Sequence, residues 1–157
     1  MPLSERQKVY AAMDKANGIK SRKKPPTLGQ LKKKAWKLCS EYVRRKSADG
    51  GGNVRCYTCP TVSHWKKMHA GHLIPGRGHS ILFDLRGLRP QCYVCNIHRQ
   101  GQSVAFLIHL EQEIGVEDAR RHRDELHEKA KKPYQYSRVE LEELMAWLER
   151  QLLRMFA

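Results

Sequence analysis

Cys56-Tyr-Thr-Cys59 and Cys92-Tyr-Val-Cys95 form two Cys-x-x-Cys pairs. A tight knuckle of this kind supplies two thiolates, and two knuckles complete a tetrahedron around Zn²⁺. Such pairs also serve as redox motifs or as buried, unliganded thiols. A second pair in the same chain weighs toward zinc. A closed four-cysteine site keeps no position for water, so its role is structural. Zinc there would pin both ends of the long segment from Pro60 to Gln91, and function can lie inside that loop. Cys39 stands apart on a helical stretch and reads as a small buried apolar residue.

The loop carries His64, His69, His72 and His79, and His98 follows the last cysteine. His64 reads as an ordinary surface residue. His69-Ala-Gly-His72 is different, because it runs into Leu73-Ile-Pro-Gly-Arg77-Gly-His79, a strand pattern ending in a Gly-rich turn. Phe83 to Leu88 reads as a returning strand, and a helix is expected from Cys95 or Asn96 to Ile114. Strand, loop, strand, helix, with histidines on the first strand and Asn96 on the helix, is the plan of a ββα-metal nuclease.

On these residues the chain resembles the HNH/endonuclease VII superfamily, in which an Asn directly follows the last zinc cysteine, as Asn96 does here. It is more closely similar to the phage NinG/Rap recombination family. That family's boxes stand here as His69-Ala-Gly-His72, His79, and Cys92-Tyr-Val-Cys95-Asn96-Ile-His98-Arg-Gln-Gly101, and the likeness extends over roughly residues 28–155. The resemblance implies a metal-dependent endonuclease that hydrolyses phosphodiester bonds in branched DNA, such as Holliday junctions and D-loops. Two positions depart from the wider HNH pattern. Gly71 stands where many members have an Asp metal ligand, and Gly87 where many have an Asn that braces the hairpin. His69, His79 or Asp84 could substitute for the missing carboxylate.

Such hydrolysis needs an activated water, counter-charge for the phosphorane-like transition state, and help for the leaving oxygen. A single Mg²⁺ or Mn²⁺ supplies the last two, and a neutral histidine supplies the first. By its place in the motif, the resemblance gives the base to His72 and metal binding to Asn96 with one or more of His69, His79 and His98. His98 lies about 200° around a regular helix from Asn96, so both face one ion only if the helix begins irregularly. Arg77 and Arg99 are candidate phosphate clamps.

The elements that must position these residues can be read from caps and periodicity. Ser4-Glu5-Arg6-Gln7 is a capping-box pattern for a short helix ending at Asn17-Gly18, followed by a basic linker over 20–26. Thr27-Leu-Gly-Gln30 opens a second helix to about Lys46, with Leu28, Leu31, Ala35, Leu38 and Tyr42 on one face. Its other face carries Lys32, Lys33, Lys34, Lys37, Arg44 and Arg45. A further helix covers about Glu117–Lys131. Ser137-Arg-Val-Glu140 caps the last, with Leu141, Leu144, Met145, Leu148, Leu152 and Met155 as its apolar stripe. The expected fold is α+β: a zinc-stapled ββα-metal core flanked by helices, over 27–157, after a basic extension at 1–26.

Charge names the class of partner. The 157-residue chain carries a net +14. Residues 1–47 hold fourteen Lys and Arg against Glu5, Asp14 and Glu41. A one-sided cationic field favours nucleic acid, with Lys23, Lys24, Lys32, Lys33 and Lys34 as contacts. A non-catalytic zinc module would explain the cysteines and the charge, but not His69, His72, His79 and Asn96. An HNH nuclease of another DNA target class shares the local motif. No apolar run suits a membrane span or a secretory leader, so the expected location is the cytoplasm of a bacterium or of a phage's host. A two-fold symmetric junction suits a homodimer, with the final helix's stripe as the candidate interface, although such stripes usually pack on their own domain's core.

Overall fold

The computed structural model describes residues 4, 5, 8, 9, 12, 13, 25–75 and 79–155, with only the backbone of His79. Most of the expected N-terminal helix and linker, including Lys23 and Lys24, lies outside them, as does Arg77. Among the described residues the fold is mixed α and β, with several helices around two small sheets.

Helix α1 (Leu28–Lys46) starts where expected. The Thr27 hydroxyl accepts from Gln30 N–H at 3.3 Å, and Gln30 Oε1 accepts from Thr27 N–H at 2.8 Å. Two of the helix's otherwise unpaired backbone donors are thereby satisfied. Its buried face is Leu31, Ala35, Cys39 and Val43, one residue per turn. Burial pushes the Cys39 thiol up to about 12, which suits an inert apolar filler.

Two short antiparallel sheets follow. Strands β1 (Asn53–Arg55) and β2 (Val62–His64) flank the first knuckle. Strands β3 (His69–His72) and β4 (Leu88–Gln91) pair with His69 opposite Gln91 and His72 opposite Leu88. The return strand thus begins at Leu88, not Phe83. Asp84 is the reason: its side chain caps a short 3₁₀ turn by accepting from Arg86 N–H at 3.3 Å and ties Arg86 and Lys129. At Gly87 an added Cβ would meet Leu126 at 2.8 Å, and the Gly87 carbonyl instead accepts from Leu73 N–H at 2.8 Å. Backbone pairing therefore closes the hairpin at the position where a bracing Asn was missed.

The helix expected from Cys95 to Ile114 is split. Val94–His98 forms a wide turn in which Arg99 N–H reaches back five residues to Val94 O. Gln100, Gly101 and Gln102 all take positive φ, and α2 (Ser103–Ile114) starts afresh. Two bonds hold the break: Gln102 Nε2 donates to Cys95 Sγ at 3.1 Å, and Gln91 Nε2 to Gly101 O at 2.7 Å. Helix α3 (Val116–Ala130) follows after Gly115, at φ +91°. Helix α4 (Arg138–Arg154) carries a second reciprocal capping box, Ser137 with Glu140.

The α4 stripe packs largely on its own chain, the usual fate of such stripes. Leu141, Met145 and Leu148 share one core with the buried face of α1 and with Ala70, Leu82, Phe83 and Leu88. Leu148 is fully buried. Most of the stripe offered as a dimer surface is therefore packed inside its own chain, with only Met155 at its end exposed. The second core gathers Leu73, Ile74 and Ile81 with Phe106, Leu110, Ala119 and Leu126 from α2 and α3. Among the described residues no helix is long and apolar enough to cross a membrane.

Candidate metal centre and active site

The two knuckles meet. Cys56, Cys59, Cys92 and Cys95 present sulfurs all within 4.8 Å of one another, among the described residues the one group of three or more His, Cys, Asp or Glu ligand atoms so gathered. Cys59 Sγ and Cys92 Sγ are 3.8 Å apart. A tetrahedron with Zn–S bonds of about 2.3 Å has an edge of about 3.8 Å, so the set fits Zn²⁺. The surroundings suit thiolates. Backbone N–H groups of Cys92 and Cys95 donate to Cys56 Sγ and Cys92 Sγ at 3.2 and 3.5 Å, and the Thr61 hydroxyl lies 3.3 Å from Cys59 Sγ. Such donors orient metal ligands and spread their charge.

Position 91 ties zinc loop and hairpin together. Gln91 is fully buried, and its Nε2 donates to Thr58 Oγ1 at 2.9 Å as well as to Gly101 O. Its Oε1 lies 1.8 Å from where a Cβ on Gly71 would stand. Gly71 is a glycine because the Gln91 carboxamide occupies that space, so the departure from the HNH pattern at this position has a packing cause.

Alternation along β3 separates its two histidines. Residues three apart on a strand fall on opposite faces. His69, on the face shared with Gly71 and Gln91, meets Asn96: Asn96 Nδ2 and His69 Nδ1 are 3.2 Å apart. Exchanging the amide's N and O leaves its shape unchanged. Oδ1 could therefore hold the same position, close to the edge of about 3.0 Å of an octahedron with bonds of about 2.1 Å. An imidazole and a carboxamide at this spacing fit two ligands of one Mg²⁺- or Mn²⁺-type ion. The His98 ring stands edge-on to Tyr93 at 5.1 Å, and Tyr93 in turn meets His69 at 5.6 Å. The side chain of His79 lies outside the described residues.

His72, on the opposite face, stacks on Trp36 of α1, rings 5.3 Å apart and 15° from parallel. Its Nε2 is 3.2 Å from Leu82 O. A backbone carbonyl only accepts, so this bond puts the proton on Nε2 and leaves the lone pair of a neutral ring on Nδ1. Asp84 is bound by Arg86 and Lys129. Burial would raise its carboxyl, but hydrogen bonds from Arg86 and Lys129 hold it down at about 2. In the described structure it braces the hairpin through these two cations.

The basic residues of α1 divide. Lys33 and Lys34 are exposed, with Lys34 Nζ 3.8 Å from Glu149 of α4, while Lys32 is half-buried. Arg99 is exposed beside the wide turn. Arg44 turns inward instead, donating to Trp65 O and Met68 O at 3.0 and 3.2 Å, and Arg45 pairs with Glu41 at 2.9 Å. Sequence reading passed over Trp36 and the role of Gln91, and it left Arg44 on the outer basic face. Trp36 sits one residue off the apolar stripe, and the partners of Gln91 and Arg44 lie far away along the chain.

The family model described as "Bacteriophage Lambda NinG protein" matches residues 3–155. Among curated proteins the chain is similar to "Protein ninG" of Salmonella phage P22, 28% identical over 99 residues, covering 58% of this chain and 46% of that protein. It is also similar to "Protein ninG" of Escherichia phage 933W, 29% identical over 86 residues, covering 54% and 40%. The match spans less than half the length of either relative. No solved structure matches.

Proposed function

The chain belongs to the bacteriophage lambda NinG family, and from that premise we propose that it is a metal-dependent DNA endonuclease of HNH type acting on branched recombination intermediates. The observation that carries the reading is the meeting of His69 and Asn96, from strand and wide turn, on one face of β3, with His72 on the other face, where Trp36 and Leu82 O set its ring plane and tautomer. A purely structural zinc module needs neither arrangement.

In this reading the zinc is structural and holds the wide turn against the hairpin. His69 and Asn96 hold a Mg²⁺ or Mn²⁺, with His98 at the rim. Bound there, such an ion stabilises the charge that develops on the phosphate and the leaving oxygen. Nδ1 of His72 takes a proton from the attacking water. Among the described residues β3 has a strand partner on one edge only, and in this reading a phosphate lies across the other edge, between the two faces. Arg99, Lys32, Lys33 and Lys34, with Arg77 and the basic segment before Thr27, neutralise flanking phosphates.

The test is incubation of zinc-loaded protein with a four-way junction, a flap and a linear duplex, with and without Mg²⁺ or Mn²⁺. Wild type cuts the junction only with the divalent ion, and His72→Ala loses cutting by a factor of at least about 10² while binding is kept. Absence of cutting under every divalent ion leaves the non-catalytic zinc module. Equal cutting of linear duplex points to an HNH nuclease of another target class.

A further inference from the structure

The two zinc knuckles treat their tips differently. In Cys56-Tyr57-Thr58-Cys59 the tip is absorbed into the protein. Tyr57 packs on Phe106, ring centroids 4.7 Å apart, and donates its hydroxyl to Glu113 at 2.6 Å, while Thr58 is buried. In Cys92-Tyr93-Val94-Cys95 the tip turns outward. Tyr93 is 52% exposed, Val94 47%, and Ile97, one turn on, 43%. Three large apolar side chains thus stand in solvent within five residues, Tyr93 and Val94 between two cysteines of the cluster and Ile97 just beyond the second. Single exposed apolar residues are ordinary, but a rigid cluster marks a contact.

The neighbours identify the contact. Tyr93 sits edge-on to both His69 and His98, so the cluster lies on the rim of the candidate catalytic site. His98 and Arg99, both exposed, follow directly on the same turn. An exposed aromatic ring flanked by aliphatics and cations is the chemistry that receives an unstacked base, the ring taking the π-face and the cations the phosphates. Intact duplex offers no free base face, whereas a branch point does.

We propose that Tyr93, supported by Val94 and Ile97, is a stacking platform for a base at a DNA branch point. It would place the adjoining phosphate at His69, Asn96 and His72. This deepens the endonuclease reading and rests on it for its choice of partner. Because the zinc ligands fix the turn, the platform exists before DNA arrives, and little ordering is needed on binding.

The experiment uses the full zinc-loaded chain without added divalent ion. A four-way junction carrying 5-iodouracil at the branch point is irradiated with the protein, and the crosslinked peptide is mapped. The crosslink is expected on Tyr93. Tyr93→Ala is expected to bind the junction about tenfold more weakly, the scale of one lost base stack, with linear-duplex affinity changed by less than about twofold. Tyr93→Phe should bind as wild type, since the ring and not the hydroxyl makes the stack. Should Tyr93→Ala fail to keep its zinc, the wild-type crosslink decides alone. Crosslinking elsewhere, or junction affinity retained in folded Tyr93→Ala, overturns the platform. The two readings fail separately. Junction cutting with no Tyr93 crosslink leaves the endonuclease standing and removes the platform. A Tyr93 crosslink in a protein that never cuts keeps the platform and removes the endonuclease.

Discussion

Asn96 Nδ2 lies 3.2 Å from His69 Nδ1, although 26 residues and most of the zinc loop separate them along the chain. Neither residue's own element makes this contact. Strand β3 presents His69 on the face of Gly71 and Gln91, and the second knuckle delivers Asn96 to that face. The zinc cysteines either side of the hairpin are what hold the two sources at one place.

Zinc is therefore expected to stabilise the centre outright. Metal analysis of purified protein should find one zinc per chain, and Cys92→Ser should lose both the zinc and the cooperative unfolding transition. Zinc binding to comparable small sites is worth about 10–16 kcal/mol at neutral pH, as large as or larger than an ordinary domain's net stability of about 5–15 kcal/mol. A folded, zinc-free protein with the transition intact would falsify the assignment.

Gly71→Ala tests the packing at the hairpin. The new Cβ would stand 1.8 Å from Gln91 Oε1, so the carboxamide must move off Thr58 and Gly101. The expected cost is about 1–3 kcal/mol, in the range for overpacking a tight interior, read as a lowered midpoint in urea. Gly71→Asp should lose at least as much and gain no function. An unchanged midpoint in Gly71→Ala would show that Gln91 has room to spare.

Leu148 separates a core helix from an interface helix. Leu148→Ala should lower stability by about 2–5 kcal/mol. Leu148→Glu should fail to fold, because it buries a charge among Leu31, Ala35 and Met145 with no partner. Circular dichroism and light scattering read both variants. A folded, monomeric Leu148→Glu would restore the dimer surface expected from the sequence.

Asp84 predicts the acid limb of stability. Its folded carboxyl titrates near 2, against 3.8 for the free group. A depressed carboxyl contributes stability that is complete above the unfolded value and is lost as pH falls toward the folded one. The window is therefore pH 4 down to 2, and the loss about 1–2 kcal/mol once the exposure of Arg86 and Lys129 is discounted. Denaturant titrations should show a shallower fall over that window in Asp84→Asn, which is also weaker at neutral pH. Parallel curves for the two proteins would remove Asp84 from the account.

Local chemistry was legible in the sequence, and long-range partners were not. Thr27 and Ser137 announce α1 and α4 through reciprocal caps, and the cysteine pairs announce one cluster, because each signal lies within four residues. The strand carrying His69 and His72 was readable too, although β3 ends at His72, short of the Gly-rich turn the sequence suggested. The return strand was misplaced because Asp84 takes its partners from Arg86 and, through Lys129, from α3. The long helix was split because Gln102 bonds Cys95 Sγ, a contact no periodicity reveals. The α4 stripe was read correctly as apolar, but stripe and partner are separate facts, and only packing names α1 as the partner.

Trp36 lies beneath His72, and Arg44 holds the Trp65 and Met68 carbonyls. Both side chains come from α1, before the first zinc cysteine. The smallest transplantable unit is consequently larger than the metal-bound loop. A fragment from Asn53 to Gly101 would keep all four thiolates yet surrender the ring that orients His72 and the guanidinium that sets the entry to β3. Anyone cutting the chain down, or grafting its centre onto another scaffold, must carry the preceding helix along with the zinc.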